Sequence, residues 1–155
     1  IPNNSGNIFD HIEVNYLYPK GVRAYMAQRQ QRRCHNENSD YLLGTKGRGD
    51  IARGVYVENA NGRWTYDGKR ENMYQVEHNE LFKSIRDGKP INNGERMDLS
   101  TMMAIMGRTA AYTGKEITYE QALNSKEDRF PKDMNWKSGK HTPPPVAQPG
   151  ITPFV

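Results

Sequence analysis

The sequence predicts an α+β fold, in which helices pack on one face of an open antiparallel β-sheet. In the first half of the chain, apolar and polar side chains alternate within short segments that are separated by turn residues, a pattern typical of strands. After Gly68 the apolar residues recur at steps of three and four, as they do on one face of a helix. Strands that precede the helices, rather than alternating with them, favour an antiparallel sheet.

The first predicted strand covers residues 8–18, because one phase of this segment is apolar except for Asp10. Pro19-Lys20-Gly21 predicts a tight turn. Residues 22–30 are then predicted to return as the second strand of a hairpin. The polar and aperiodic residues 31–40 predict a loop.

A second group of strands is predicted further along the chain. Residues 41–44 form a short apolar segment, and two more segments, 55–58 and 63–66, flank Asn61-Gly62. An Asn-Gly pair accommodates the positive backbone angles of a two-residue turn, so these two segments are predicted to form a hairpin. The glycine-rich residues 44–49 are open to two interpretations, a phosphate cradle or a turn between strands; they lack the length of a P-loop and the glycine pattern of a dinucleotide fingerprint.

Three helices are predicted in the second half. The first has an apolar face and ends at Gly88, which can take the left-handed conformation, before Pro90. The second carries a methionine-rich stripe, is capped by Asp98 or Ser100 and ends at Gly114. A third, short helix is predicted from the capping-box pair Thr118 and Gln121. The apolar face of the first helix comprises Tyr74, His78, Leu81, Phe82 and Ile85, and the stripe of the second comprises Leu99, Met102, Met103, Met106, Ala110 and Thr113.

Composition indicates a domain that completes its core elsewhere. Hydrophobic residues make up 35% of the 155 residues, and the mean hydropathy is −0.95, which is low for a self-sufficient globule. We expect residues 1–127 to form one α+β domain, incomplete on its N-terminal side, and residues 128–155 to form an extended Pro-rich tail. Ile1 is interpreted as an arbitrary start rather than a native N-terminus.

Charge and cysteine content exclude several classes of function. The net charge of +4 comes from 22 basic and 18 acidic residues that are well mixed, whereas nucleic-acid binding usually needs a denser basic stripe. No apolar run approaches the roughly 20 residues that span a bilayer. The single cysteine, Cys34, excludes an intrachain disulfide, and the four histidines show no metal-ligand spacing.

Candidate site residues are few. Asp10 and His11 are expected on opposite faces of one strand, and therefore not in direct contact; each is interpreted as structural or as lining a substrate pocket. His78 is either a core or interface histidine or a pocket residue. The basic residues 28–33 are either a solvated strand end or a polar rim for a hydroxyl-rich or anionic ligand. No nucleophile elbow and no pair of catalytic carboxylates is apparent.

Several motifs, in this order and spacing, resemble a known family. They include G-N-I-F-D-H-I-E-V-N-Y-L-Y-P-K-G-V-R at residues 6–23, L-L-G-T-K-G at 42–47, W-T-Y-D-G at 64–68, E-H-N-E-L-F-K-S-I-R-D-G-K-P-I-N-N-G-E-R at 77–96 and A-I-M-G-R-T-A-A-Y-T-G-K-E-I-T-Y-E-Q-A-L-N-S at 104–125. Together they are similar to the C-terminal domain of the Gfo/Idh/MocA oxidoreductases, the glucose–fructose oxidoreductase and inositol dehydrogenase family. The similarity is nearest to bacterial members annotated in general terms as NADH-dependent dehydrogenases.

The resemblance implies a division of labour between two domains. In the family, an N-terminal Rossmann domain holds NAD or NADP, and the C-terminal domain shapes a sugar or polyol pocket and builds a homo-oligomer through its exposed sheet face. The family's Glu-Lys-Pro and Asp-x-x-x-His motifs do not occur in this sequence. The resemblance therefore implies a substrate-side domain that has no catalytic or cofactor-binding residue of its own and is inactive alone.

The resemblance also implies which residues contact the substrate. Those that match the pocket-facing segments are Asp10, His11, Arg29, Gln30 and His78. The alternative is a stand-alone carbohydrate-binding or assembly module with no redox activity. The bacterial cytoplasm and the periplasm both remain open as locations.

Overall fold

The computed structural model describes residues 7–130, Lys137 and residues 143–155, and it has the α+β fold that the sequence predicts. The elements, in chain order, are β1 His11–Leu17, a 3-10 turn Pro19–Gly21, β2 Arg23–Arg29, β3 Tyr41–Gly44, β4 Gly47–Asp50, β5 Tyr56–Asn59, β6 Gly62–Thr65, α1 Met73–Arg86, α2 Gly94–Thr113 and α3 Tyr119–Leu123.

All strand pairs are antiparallel, but they belong to two sheets: β1 pairs with β2, and the other four strands form a sheet in the order β3-β4-β5-β6. The chain divides into two compact units. One unit comprises Ile1–Arg32 with Asn92–Val155, and the other comprises Arg33–Ile91.

The first unit begins with the predicted hairpin. Along β1, half-buried residues alternate with exposed ones, and the half-buried residues are Ile12, Val14 and Tyr16, as the apolar phase predicts. The turn closes with a hydrogen bond from the Tyr18 amide to the Val22 carbonyl oxygen at 2.9 Å. Lys20 and Gly21 both have positive φ, +62° and +77°.

Helix α2 packs against β1 through tyrosine side chains. The hydroxyl of Tyr16 donates to the carbonyl oxygen of Met103 at 3.0 Å, and the hydroxyl of Tyr18 lies 3.0 Å from the Met103 sulfur. The helix begins at Gly94, preceded by Asn93.

The predicted caps Asp98 and Ser100 are therefore wrong, since both residues lie inside α2. The side chain of Asn92 accepts the Gly94 amide at 3.0 Å just before the first turn, while the Ser100 hydroxyl donates back to the Arg96 carbonyl oxygen at 2.8 Å. The predicted end is confirmed, with Gly114 at φ +69°.

Helix α3 has the predicted capping box. The Thr118 hydroxyl accepts the Gln121 amide at 3.2 Å, and the Gln121 side chain accepts the Thr118 amide at 2.9 Å.

The last thirteen residues, 143–155, are called the C-terminal segment below. The Gly150 amide donates to the Thr113 carbonyl oxygen at 2.7 Å, and the Ser125 hydroxyl donates to the Val155 carbonyl oxygen at 2.6 Å. Residues 143–148 have no regular secondary structure, and a turn follows. The other residues of the predicted tail, 131–136 and 138–142, lie outside the described residues, and the boundary at residue 128 stays a prediction.

The second unit contains the four-stranded sheet, including a strand that the sequence did not predict. The glycine-rich segment turns only at Thr45 and Lys46, after which β4 pairs with both neighbours. Gly47 and Gly49 permit this pairing, because Cβ atoms there would meet the carbonyl oxygens of Glu58 and Tyr56. The glycine-rich segment is thus a turn between strands, as one of the two interpretations has it, but the turn is shorter than predicted.

The second hairpin forms where Asn61-Gly62 predicts it, one residue out of register. Asn59 pairs with Gly62, so Ala60 and Asn61 form the loop. Only Gly62 of the Asn-Gly pair has a positive φ, at +122°. The side chain of Asn59 accepts the Asn61 amide at 2.8 Å and stabilises the turn instead.

Helix α1 starts at a side-chain cap that the sequence analysis did not identify. Asn72 accepts the amides of Tyr74 and Gln75 at 3.0 and 3.3 Å. Gly88, with φ +65°, follows the helix as predicted. The predicted apolar face is exposed, at 64% for Tyr74 and 51% for Phe82.

Candidate functional site

The hairpin of the first unit brings four of the five predicted substrate-contact residues to one end. His11 opens β1 and Arg29 closes β2, and these two residues are partners in the strand register. One step further out, the Gln30 amide donates to the Asp10 carbonyl oxygen at 2.7 Å. We call Asp10, His11, Arg29 and Gln30 the hairpin-end cluster.

The prediction that Asp10 and His11 do not contact each other is wrong. Nδ1 of His11 lies 2.7 Å from Oδ1 of Asp10. The alternation of faces holds only within a strand, and Asp10 lies in a bend just before β1 begins. The bend turns the two side chains toward each other.

Gln31 extends this cluster, although it was not among the predicted site residues. Its side-chain nitrogen donates to Oδ2 of Asp10 at 3.3 Å. The pairing of Asp10 with Gln30 could have indicated this contact, because the next residue of the returning chain then lies beside Asp10.

Both hydrogen bonds favour the ionised form of the Asp10 carboxyl. The bond from His11, followed by that from Gln31, lowers the pKa of Asp10 below its ordinary value. At neutral pH Asp10 is therefore a carboxylate that accepts hydrogen bonds. Because a carboxylate only accepts hydrogen bonds, it favours the ring form of His11 that carries a proton on Nδ1. The His11 side chain is 70% exposed.

His78 lies in the other unit, on α1. Its Nδ1 lies 2.6 Å from the carbonyl oxygen of Tyr74, one turn earlier in the helix. The side chain borders an open depression together with Asn72, Gln75 and Phe82. The interpretation of His78 as a core residue is wrong, since it is exposed; its role at an interface or pocket stays a prediction.

The four-stranded sheet has one exposed apolar face. Leu42, Val57 and Trp64 lie in one cross-strand row with Gly49 between them, and the three side chains are 52%, 48% and 57% exposed. We call these three side chains the apolar row. The glycines on the same face add no side chains to it. The opposite face carries ion pairs, with Glu58 contacting Arg48 at 3.2 Å and Arg63 at 3.7 Å.

The described part of the chain presents neither a candidate metal site nor a candidate membrane span. Within residues 7–130, Lys137 and 143–155, no group of three or more His, Cys, Asp or Glu side chains is placed to hold a metal ion. No helix in these same ranges combines the length and the apolar character needed to cross a membrane.

Comparison with known proteins found no relative: no protein-family model matches the chain, and searches of curated proteins and of solved structures gave no match. The family resemblance seen in the motifs therefore stays a prediction, and the site must be interpreted from its own chemistry.

Proposed function

We propose that this chain is the substrate-side and oligomerisation domain of an NAD(P)-dependent oxidoreductase that acts on a sugar or polyol. The observation that carries the proposal is the hairpin-end cluster. Residues singled out by the motif resemblance, which are far apart in sequence, meet at one end of a hairpin.

The cluster has the chemistry that a hydroxyl-rich ligand requires. An ionised Asp10 accepts hydrogen bonds from hydroxyl groups, and the guanidinium of Arg29 and the side-chain amide of Gln30 donate to their oxygens. Asp10 is held in place by His11 and Gln31. A fixed carboxylate binds a hydroxyl at a lower entropic cost than a mobile one.

Hydride transfer is assigned to a cofactor held outside this chain. The reacting carbons must approach to about 3–3.5 Å, which requires a nicotinamide site. We place that site in a Rossmann domain of the parent protein. The role of the present chain is to bind the sugar and orient the carbon that loses or gains hydride.

Two exposed apolar surfaces support an assembly role. One is the apolar face of α1, and the other is the apolar row of the sheet. Such surfaces favour burial against a partner, at roughly 25 cal/mol per Å². We assign the apolar row to a second copy of the chain, because a row that runs across four strands can pack against the same row of its copy.

The proposal is tested by kinetics of the parent protein with NAD or NADP and a panel of sugars and polyols. Asp10→Asn and Arg29→Gln are expected to raise KM for the sugar. Glu13→Gln, on the same strand but outside the cluster, is the matched control. An unchanged KM in both cluster variants would contradict the role of the cluster. The absence of nicotinamide reduction with every polyol would contradict the redox function.

A second test uses the 155-residue chain alone. Calorimetric titration with NAD or NADP is expected to show no binding. Micromolar binding would place the cofactor site in this chain and refute the proposed division between domains.

The second candidate function is a carbohydrate-binding or assembly module without redox activity. The exposed Trp64, with its ring centroid 6.4 Å from that of Tyr66, favours this alternative, because aromatic faces on a flat sheet stack well on sugar rings. Sugar binding that never leads to nicotinamide reduction in the parent protein would select it.

A further inference from the structure

A cavity of about 340 Å³ lies in the first unit, between the C-terminal half of α2 and the C-terminal segment. Its walls differ in character. The helix side is polar and aromatic, and the segment side is apolar. The lining includes Arg108, Thr109 and Tyr112 from α2, and Pro144, Val146 and Phe154 from the C-terminal segment. Its volume is at the lower end of the range typical of small-molecule sites.

Arg108 lines this cavity, and no other described residue accepts a hydrogen bond from its guanidinium. Its guanidinium carbon lies 4.1 Å from the centre of the Tyr112 ring, so the group is held by stacking and its N–H edge is not consumed. Oε1 of Glu127 is 3.8 Å from Nη1, beyond hydrogen-bond distance. Among the described residues, Arg108 has no hydrogen-bond partner for its side chain.

Glu127 also contacts a second arginine. Nη2 of Arg129 donates to Oε2 of Glu127 at 2.6 Å and lies 3.5 Å from the Thr109 hydroxyl. Two guanidinium groups thus share one carboxylate. Of the two guanidinium groups, that of Arg108 belongs to a residue that lines the cavity, together with Glu127.

We propose that this cavity binds a small monocarboxylate with an apolar body. The planar N–H edge of a stacked arginine matches a carboxylate in two parallel hydrogen bonds. The prolines, Val146 and Phe154 then cover the apolar body of the ligand. A second negative charge on the ligand would be repelled by Glu127, which favours one carboxylate over a phosphate or a dicarboxylate.

The proposal does not depend on the sugar-directed function. It uses no residue of the hairpin-end cluster, so either proposal can fail without the other.

The test compares two probes of the same shape, cyclohexanecarboxylate and its neutral analogue cyclohexanecarboxamide. Calorimetry and saturation-transfer NMR on the unmodified protein are expected to show binding of the carboxylate and at least tenfold weaker binding of the amide. This comparison needs no variant and so does not depend on how a mutant folds. Equal affinity for the two probes, or no saturable binding of the carboxylate, would overturn the proposal.

A pair of variants then tests whether Arg108 is the residue that binds the carboxylate of the probe. Arg108→Gln is expected to weaken carboxylate binding at least about tenfold, while Arg96→Gln, an exposed position on the same helix, is expected to leave it unchanged. Circular dichroism checks that both variants keep their helix content. If Arg108→Gln is folded and binds the carboxylate as tightly as the unmodified protein, the assignment to Arg108 is wrong.

Discussion

The phenol oxygen of Tyr16 lies so close to Gly107 that a Cβ atom on this glycine would clash with it. Tyr16 projects from β1, its hydroxyl donates to the carbonyl oxygen of Met103, one helical turn before Gly107, and the glycine allows the ring to approach the backbone of α2. Because this contact joins the helix to the hairpin, it fixes the strand whose first residue belongs to the candidate site.

Gly107→Ala is therefore expected to destabilise the protein. In an unobstructed helix this change would stabilise by about 1 kcal/mol, whereas overpacking of this contact costs about 1–3 kcal/mol. Urea denaturation gives the sign of the change. Adding Tyr16→Phe removes the obstructing oxygen and should recover part of the loss. If Gly107→Ala alone stabilises the protein, the close contact is not present in solution.

Gly88 and Gly114 have the same backbone conformation, so their alanine variants distinguish the cost of backbone strain from the cost of a packing clash. Gly88 and Gly114 follow helices with φ of +65° and +69°, so alanine is strained at both, at a cost of about 1–2 kcal/mol. A Cβ at Gly88 meets nothing within 4 Å, while one at Gly114 would lie 2.9 Å from the Gly150 amide nitrogen. Gly114→Ala should therefore cost more than Gly88→Ala, by about 1 kcal/mol.

Hydrogen exchange of the Gly150 amide gives an independent measure of the same contact. This amide donates to the Thr113 carbonyl oxygen, and its protection should fall in Gly114→Ala but not in Gly88→Ala. Equal losses of stability and protection in the two variants would show that the C-terminal segment does not pack on the end of α2.

The capping box gives a third prediction. Thr118→Ala removes the acceptor for the Gln121 amide and is expected to cost about 1 kcal/mol, while Thr118→Ser keeps the hydroxyl and should be nearly neutral. Thermal denaturation distinguishes the two variants. Equal stability of the two would mean that α3 is held by the packing of its buried Ala122 rather than by its cap.

The Asp10 carboxyl should titrate below its ordinary value near 3.8, and His11→Ala should raise its pKa more than Gln31→Ala does. Since the folded-state pKa is lowered, the stabilising contribution is present above the ordinary value and is lost as the pH falls through the lowered pKa. Carbon-13 NMR of the carboxyl measures the titration. An Asp10 pKa at or above the ordinary value in the unmodified protein would contradict the contact with His11.

Trp64→Glu is expected to weaken self-association if the apolar row meets a second copy, because a carboxylate would be buried without a partner. Leu43→Glu is the matched control: Leu43 is in the adjacent register position on the opposite face of the sheet and is 88% exposed. Light scattering and sedimentation measure the mass. Unchanged association in Trp64→Glu, or equal loss in both variants, would place the interface elsewhere.

Local patterns predicted most elements but not the details that depend on pairing. The alternation in β1, the stripe of α1 and the capping box of α3 are properties of short segments, and each appears where predicted. Strand β4 was missed, since Gly47-Arg-Gly-Asp50 has little intrinsic strand propensity. It is a strand because it pairs through backbone hydrogen bonds with β3 on one side and β5 on the other.

The candidate site shows the same limit. Motif resemblance selected Asp10, His11, Arg29 and Gln30, but the contact between the first two and the participation of Gln31 depend on a bend that no local pattern indicates. The position of Arg108 at the cavity was likewise not predicted from the sequence, because it depends on how Tyr112, Glu127 and Arg129 are arranged around it.

The sequence by itself determined the α+β class, the order of all elements except β4, and the residue types available for binding, because these follow from periodicity, turn chemistry and composition within short stretches. Only the tertiary structure decided that the strands divide into two sheets, that Tyr16 packs closely against Gly107, and that Arg108 lines a cavity. Those outcomes depend on distances between residues tens of positions apart, and such distances are set when the elements pack.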